Sequence, residues 1–409
     1  MSASAFEALP AGAYAAALAG LPGIGPATLS RLLASATPEE AWADVVAGRV
    51  QRPARGAGRA RAGAGPIGEG GRPDQDDLRL PFEGTAGATS PREVAAGDGS
   101  WAAAARLVDV ADLWARCRRS AIRVTWRGGP LYPTRLASDP EPPGVLFWRG
   151  DLASLSRRCV AIVGTRHCSP DGRLVALEMG RDLAHAGACV VSGLALGIDG
   201  AAHAGALEAA SAAGPVGVAA SGVDRPYPRQ HRDLWERVVA TGAVVSETPP
   251  GAPAQAWRFP ARNRIIAALA EMVVVVESHR AGGSMLTVEA ALARGVEVRA
   301  VPGAVRSRAS EGTNQLLCDG AAPVRHASDV LDAMGLVGLS APAAAAGRPD
   351  RLGAREQRVL NAGAARPTSP AQVGDHSGGD GGVVAAALDS LEDCGMVCRA
   401  GAWWLRAGA

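Results

Sequence analysis

The sequence contains no lysine; all 42 of its Lys+Arg residues are arginine. A Walker-type NTPase is excluded, because its phosphate loop needs a lysine. Pyridoxal-phosphate and lysine-imine chemistry are excluded as well. Every cationic phosphate contact must come from an arginine fork, a histidine or a helix N-terminus. Seven cysteines (Cys117, Cys159, Cys168, Cys189, Cys318, Cys394 and Cys398) are scattered, odd in number and form no CxxC pair. They fit a reducing compartment rather than a disulfide framework. Apolar runs fall far short of the roughly 20 residues a membrane helix needs. No basic stretch precedes an apolar core near the start, so a soluble, cytoplasmic chain without membrane contact is expected. The deaminase signature, HExxH and the GxSxG elbow are all missing. Asp199, Glu247, Glu277 and Glu289 do not form a convincing nuclease carboxylate pair. No catalytic residue, metal or cofactor is therefore expected.

What remains is 47% hydrophobic and 20% charged, a globular composition with a formal net charge of only +2. A polyanion site must then be a local patch rather than a field over the whole surface. Residues 1–50 read as helical, interrupted by Leu21-Pro22-Gly23-Ile24-Gly25-Pro26, with the shape of a helix–hairpin–helix turn. A structural turn and a DNA contact are both compatible with it. Residues 51–100 hold 11 Gly and 5 Pro, too few large aliphatics to offset chain entropy, and read as a disordered insertion. Residues 101–120 resume a helical pattern that could complete the first domain. Apolar runs at 160–163, 189–191, 216–219, 244–245, 272–276 and 298–301 alternate with helical stretches. This predicts a doubly wound α/β domain with a parallel sheet covered on both faces. Residues 336–352 read as a linker. The last segment, 353–409, reads as three helices and a hairpin, the arithmetic of a winged helix.

Site-bearing residues fall at the predicted strand ends. Gly164-Thr165-Arg166 closes the first strand, and Ser192-Gly193 closes the second, offering a hydroxyl and amides suited to a phosphate or to a simple turn. Arg262 and Arg264 flank Asn263 where an apolar helix is expected to start; cations there oppose the helix dipole unless an anion or carboxylate compensates them. Trp257 and Phe259 lie alongside and suit base stacking. Gly282-Gly283-Ser284-Met285-Leu286-Thr287 is a glycine loop leading into a helix. Three such loops are expected around one patch whose cations are Arg166, Arg262 and Arg264.

The ordered set Gly164-Thr165-Arg166, Ser192 to Asp199, Tyr227-Pro228, Ser246-Glu247, Phe259 to Ile266, Gly283 to Thr287, Val301-Pro302-Gly303 and Gly312-Thr313-Asn314 resembles the DNA-processing protein A (DprA/Smf) family. The resemblance covers about residues 122–335. It implies an extended Rossmann-like core (121–335), an N-terminal helical SAM-like domain (1–50) and a small C-terminal winged helix (353–409). It also implies single-stranded DNA binding, a homodimer, and loading of the RecA recombinase in natural transformation and recombination. Carried onto this sequence, the DNA or phosphate contacts are Gly164, Arg166, Ser192, Gly193, Arg262, Asn263, Arg264, Gly283, Ser284 and Thr287. Leu196 stands where the family often carries a basic residue, and the 51–100 insertion has no recognised counterpart.

Two other readings fit parts of the chain. A Rossmann-like nucleoside-monophosphate phosphoribohydrolase has a glycine pair at a similar distance from a glutamate, here Glu289. However, Ala281 replaces its proline and Met285-Leu286 replace its Gly-Thr. A winged-helix duplex-DNA regulator would use the last segment, which is only weakly basic.

Overall fold

The computed structural model describes residues 9–50, 100–209 and 213–336, then 359, 369, 372–373, 381–393, 397–400 and 403–406. The 51–99 stretch and most of 336–380 lie outside the described residues. Strands are numbered β1 (Arg123–Trp126), β2 (Val145–Gly150), β3 (Cys159–Val163), β4 (Cys189–Ser192), β5 (Val216–Val218), β6 (Ala243–Ser246), β7 (Met272–Val275), β8 (Glu297–Ala300), β9 (Ala322–Pro323), β10 (Val397–Ala400) and β11 (Trp403–Arg406). The chain divides into two compact units. The first is 1–155 with 216–271 and 286–297; the second is 156–215 with 272–285 and 298–409.

In the first unit the helix Ala11–Gly20 is rich in alanine, with one leucine and one tyrosine. It buries residues on every side, as a core helix does. It packs against Pro38–Val46, Val110–Arg119 and β1, and Trp101–Arg106 packs against Pro38–Val46. Thr37 and Glu40 close a capping box at the start of Pro38–Val46. The strands run in the order β1-β2-β6-β5. Pairings β1–β2 and β2–β6 are antiparallel, and only β5–β6 is parallel. The strands expected to be parallel keep that direction in β5–β6, and the antiparallel edge is built by β1 and β2, which lie outside that expectation. The connection from β1 to β2 carries just the four-residue helix Thr134–Ala137, and a parallel return needs a full helical crossover.

The second unit orders its strands β4-β3-β7-β8-β9, with β3 parallel to both β4 and β7, and β8 parallel to β9. Every residue of β3, β4 and β7 is buried. This lack of alternation is the mark of strands covered on both faces. Helices Pro170–His185 and Ile198–Glu208 add Ala176, Met179, Leu183, Ile198, Ala202 and Ala206 to the core that Val160, Ile162, Val190 and Val274 begin. The two helices are the most closely packed helix pair among the described residues. A Cβ at Gly180 would run into the Ala202 carbonyl, and one at Gly205 into the Leu177 carbonyl. At the C-terminal end, the helix Gly381–Asp393 and the antiparallel pair β10–β11 share a small core of Val384, Leu388, Leu391, Val397 and Trp404. The two helices expected ahead of them lie mostly outside the described residues.

An open helical glycine changed to alanine usually gains about 0.5–1 kcal/mol. Here the sign is expected to invert. Gly180→Ala and Gly205→Ala should each lose about 1–3 kcal/mol by overpacking, read from urea unfolding midpoints. A gain in either variant would contradict the close crossing.

Candidate nucleic-acid interface

The helix bearing Arg262, Asn263 and Arg264 starts at Arg258, one turn earlier than its pattern suggests. Pro260 is the reason. In a first turn its missing N–H costs nothing, so the helix runs through it rather than starting after it. The two arginines then sit inside the helix, away from its N-terminus, and each has an internal partner. Arg262 is 6% exposed. Its Nη1 donates to the Val218 carbonyl at the end of β5 at 2.6 Å, and its Nε donates to Asn263 Oδ1 at 3.2 Å. Arg264 donates to Glu247 Oε2 at 2.5 Å and to the Glu141 carbonyl at 2.7 Å. The compensating carboxylate that the sequence left open is therefore Glu247. The arginine patch expected from the sequence has two of its three cations fixed into the frame of the first unit.

The second unit revises the strand-end turns in the same way. Ser192 is fully buried, and its hydroxyl donates to the Ile162 carbonyl at 2.6 Å. The Gly193 amide donates to Asp199 Oδ2 at 3.1 Å. Neither presents the free hydroxyl or amide expected for a phosphate. Gly164 is tightly packed, since a Cβ there would lie 2.5 Å from Ile198 Cγ1 and 2.7 Å from the Glu277 carbonyl. Ser284 is buried and donates to Ser278 Oγ at 2.8 Å. Thr287 is buried in the first turn of Met285–Leu292, a helix assigned to the first unit. Gly283 differs: it is exposed, and a Cβ on it would meet nothing within 4 Å. Arg166 is half-buried on the loop after β3.

The aromatic residues separate cleanly. Phe259 is half-buried and packs on Tyr227 with ring centroids 5.5 Å apart. Trp257 is 57% exposed. Its indole N–H donates to Gln255 Oε1 at 2.8 Å, and the Arg258 guanidinium lies over its ring at 5.1 Å. Arg258 is anchored by a 2.6 Å bond to the Pro253 carbonyl. The sequence reading omitted Arg258; its only signal is a cation directly after an aromatic at a helix start. Exposed stacking surface with an attached guanidinium is suited to bases and phosphates. Among the described residues no group of side chains could hold a metal ion.

With this geometry established, comparison with known proteins places the class as a DNA-processing α/β protein. The family model described as DNA recombination-mediator protein A matches residues 123–335. The chain belongs to that family, whose members are DNA-processing mediators rather than known enzymes. The DNA processing protein DprA of Bacillus subtilis is 39% identical over 202 residues, covering 49% of this chain and 67% of that protein. Protein Smf of Escherichia coli is 37% identical over 203 residues, covering 49% and 54%. The X-ray structure of DNA processing protein A from Streptococcus pneumoniae superposes with a TM-score of 0.53 at 33% identity, covering 57% of this chain and 81% of that one.

Burial pushes the Glu247 carboxyl above its ordinary value, against the pull of Arg264. With Arg264 removed, a buried charge would be left unpaired. Arg264→Ala should therefore cost about 3 kcal/mol at neutral pH. A carboxyl raised in the folded state favours folding at low pH and loses that contribution as pH rises through the raised value. The deficit should thus narrow as the pH falls towards about 4–5. Adding Glu247→Ala to this variant should recover part of the loss at neutral pH. Chemical denaturation across a pH series checks this; a deficit that widens on acidification would contradict it.

Proposed function

We propose that this chain binds single-stranded DNA and passes it to the RecA recombinase, acting as a cytoplasmic homodimer in natural transformation or related recombination. The observation that carries the reading is the exposed Trp257 with Arg258 held over its ring. Every base has a π-face, so such a platform is tolerant of sequence and suits an unpaired strand. Family membership supports the same direction. The groups assigned to contact DNA are Trp257 and Arg258 in the first unit and Arg166 and Gly283 in the second. Ser192, Gly193, Arg262, Asn263, Arg264, Ser284 and Thr287 act behind them by fixing the backbone and side chains of their loops and helices. Residues 1–50 with 101–120 serve as an auxiliary helical module, and 353–409 as a winged-helix module for a partner or a duplex.

Fluorescence anisotropy of a labelled poly-dT oligonucleotide, compared with duplex of equal length over a salt series, tests the reading. Preference for the single strand is expected, with a log–log salt slope of about −0.7 per phosphate neutralised. Trp257→Ala should weaken binding by about 1–3 kcal/mol, and Arg166→Ala should make the slope shallower by about 0.7. Gly283→Ala has room for its methyl group, so lost affinity at unchanged stability would report close approach of DNA to that backbone. Duplex preference, or a salt-insensitive interaction, would overturn the reading.

A further inference from the structure

We propose that Glu277 is the positioning residue for Arg166; the link to DNA rests on the reading above, and the clamp itself does not. Glu277 follows the end of β7 by two residues and is 7% exposed. It grips both ends of the loop that carries Arg166. At one end the Thr165 N–H donates to the Glu277 carbonyl at 2.7 Å. At the other, the Ser169 N–H and hydroxyl donate to its two carboxylate oxygens at 2.8 and 2.6 Å. The same Ser169 hydroxyl caps the helix Pro170–His185 by accepting from the Gly172 N–H at 3.0 Å. A Cβ on Gly172 would collide with the Glu277 carboxyl.

The carboxylate holds the Ser169 end, and the main-chain carbonyl of the same residue holds the Thr165 end, so both sides of Arg166 are tied to one point of the chain. Gly197 closes the loop from behind. It lies at φ +76°, and a Cβ there would sit 2.6 Å from the Arg166 carbonyl. Between these holds the backbone of Arg166 has little room to move. A long cation held this way loses less conformational freedom on meeting a phosphate.

Hydrogen–deuterium exchange of the full chain without DNA tests the clamp. Glu277→Ala should speed exchange of the Ser169 amide and the Cys168 amide beside it by about tenfold or more, while the Thr165 amide keeps its main-chain acceptor. Amides inside the helix Pro170–His185 should keep wild-type protection, and sodium formate should slow the loop again. Glu277→Gln keeps the shape and one acceptor, guards against a variant that fails to fold, and should give a smaller acceleration. Loop exchange unchanged in both variants, or protection lost across the whole unit in Glu277→Gln, overturns the clamp.

Oligonucleotide affinity of Glu277→Gln, Arg166→Ala and the double variant then tests the link to DNA. Losses that do not add support action through Arg166, and additive losses overturn it. If Arg166→Ala leaves affinity unchanged, the DNA reading of this loop falls while the exchange result still decides the clamp.

Discussion

The second unit depends on one steric constraint, the approach of Pro170–His185 to Ile198–Glu208. Strands β3, β4 and β7 have no polar face, so helices must seal them. The two helices seal the face that carries Val160, Ile162, Val190 and Val274 by setting Gly180 and Gly205 against each other's backbone carbonyls. Side chains at those positions would drive the helices apart and open voids over the valines beneath. The turns that lead into these helices follow from the same closeness. Gly164 is squeezed against Ile198, the first residue of one helix, and Gly172 against the carboxyl that holds the start of the other.

The first unit is held together by different means. Its strands are partly antiparallel, and its long connections are tied down by guanidinium forks. Arg294 donates from Nε and Nη2 to Asp139 at 2.7 and 3.2 Å, with both side chains almost entirely buried. Arg149 forms a matching two-point pair with Glu236. Arg135 reaches Glu271, and Arg264 reaches Glu247. A planar fork with fixed donor directions suits a buried pair such as Arg294–Asp139 better than an ammonium would. A chain whose every strong cation is an arginine has this device available wherever a carboxylate must be buried.

That same device explains which parts of the sequence were legible. The core strands were plain because continuous valine runs have one interpretation when glycine-bearing turns follow them. Their ends were also well placed, within a residue or two of the structure. The antiparallel edge was not legible, since the period of a buried strand is silent about its direction. The helix Arg258–Leu269 begins a turn before its apolar pattern does, because Pro260 is tolerated in a first turn and the residues ahead of Ile265 are mostly polar. The candidate site was half legible. The motifs lay at strand ends, as expected, but a pattern does not reveal whether a serine or arginine faces outward. Ser192 and Arg262 turned inward because carbonyls at the ends of β3 and β5 were there to receive them.

The inward turn of these residues changes what the motif means. An arginine that holds a strand end cannot also reach far for a phosphate without giving up a buried bond. Substituting it therefore removes structure and any ligand contact together, so a loss of binding in such a variant has two causes that affinity alone does not separate. Trp257 and Gly283 have exposed or uncrowded surface, and substitutions there leave the core alone. Arg166 stands between the two classes. It is half-buried, on a loop held at both ends by Glu277, and its usefulness to a ligand depends on how firmly that loop is held. Within each unit the motif residues thus divide into buried forks and hydroxyls that fix the loops and a few residues with exposed or uncrowded surface.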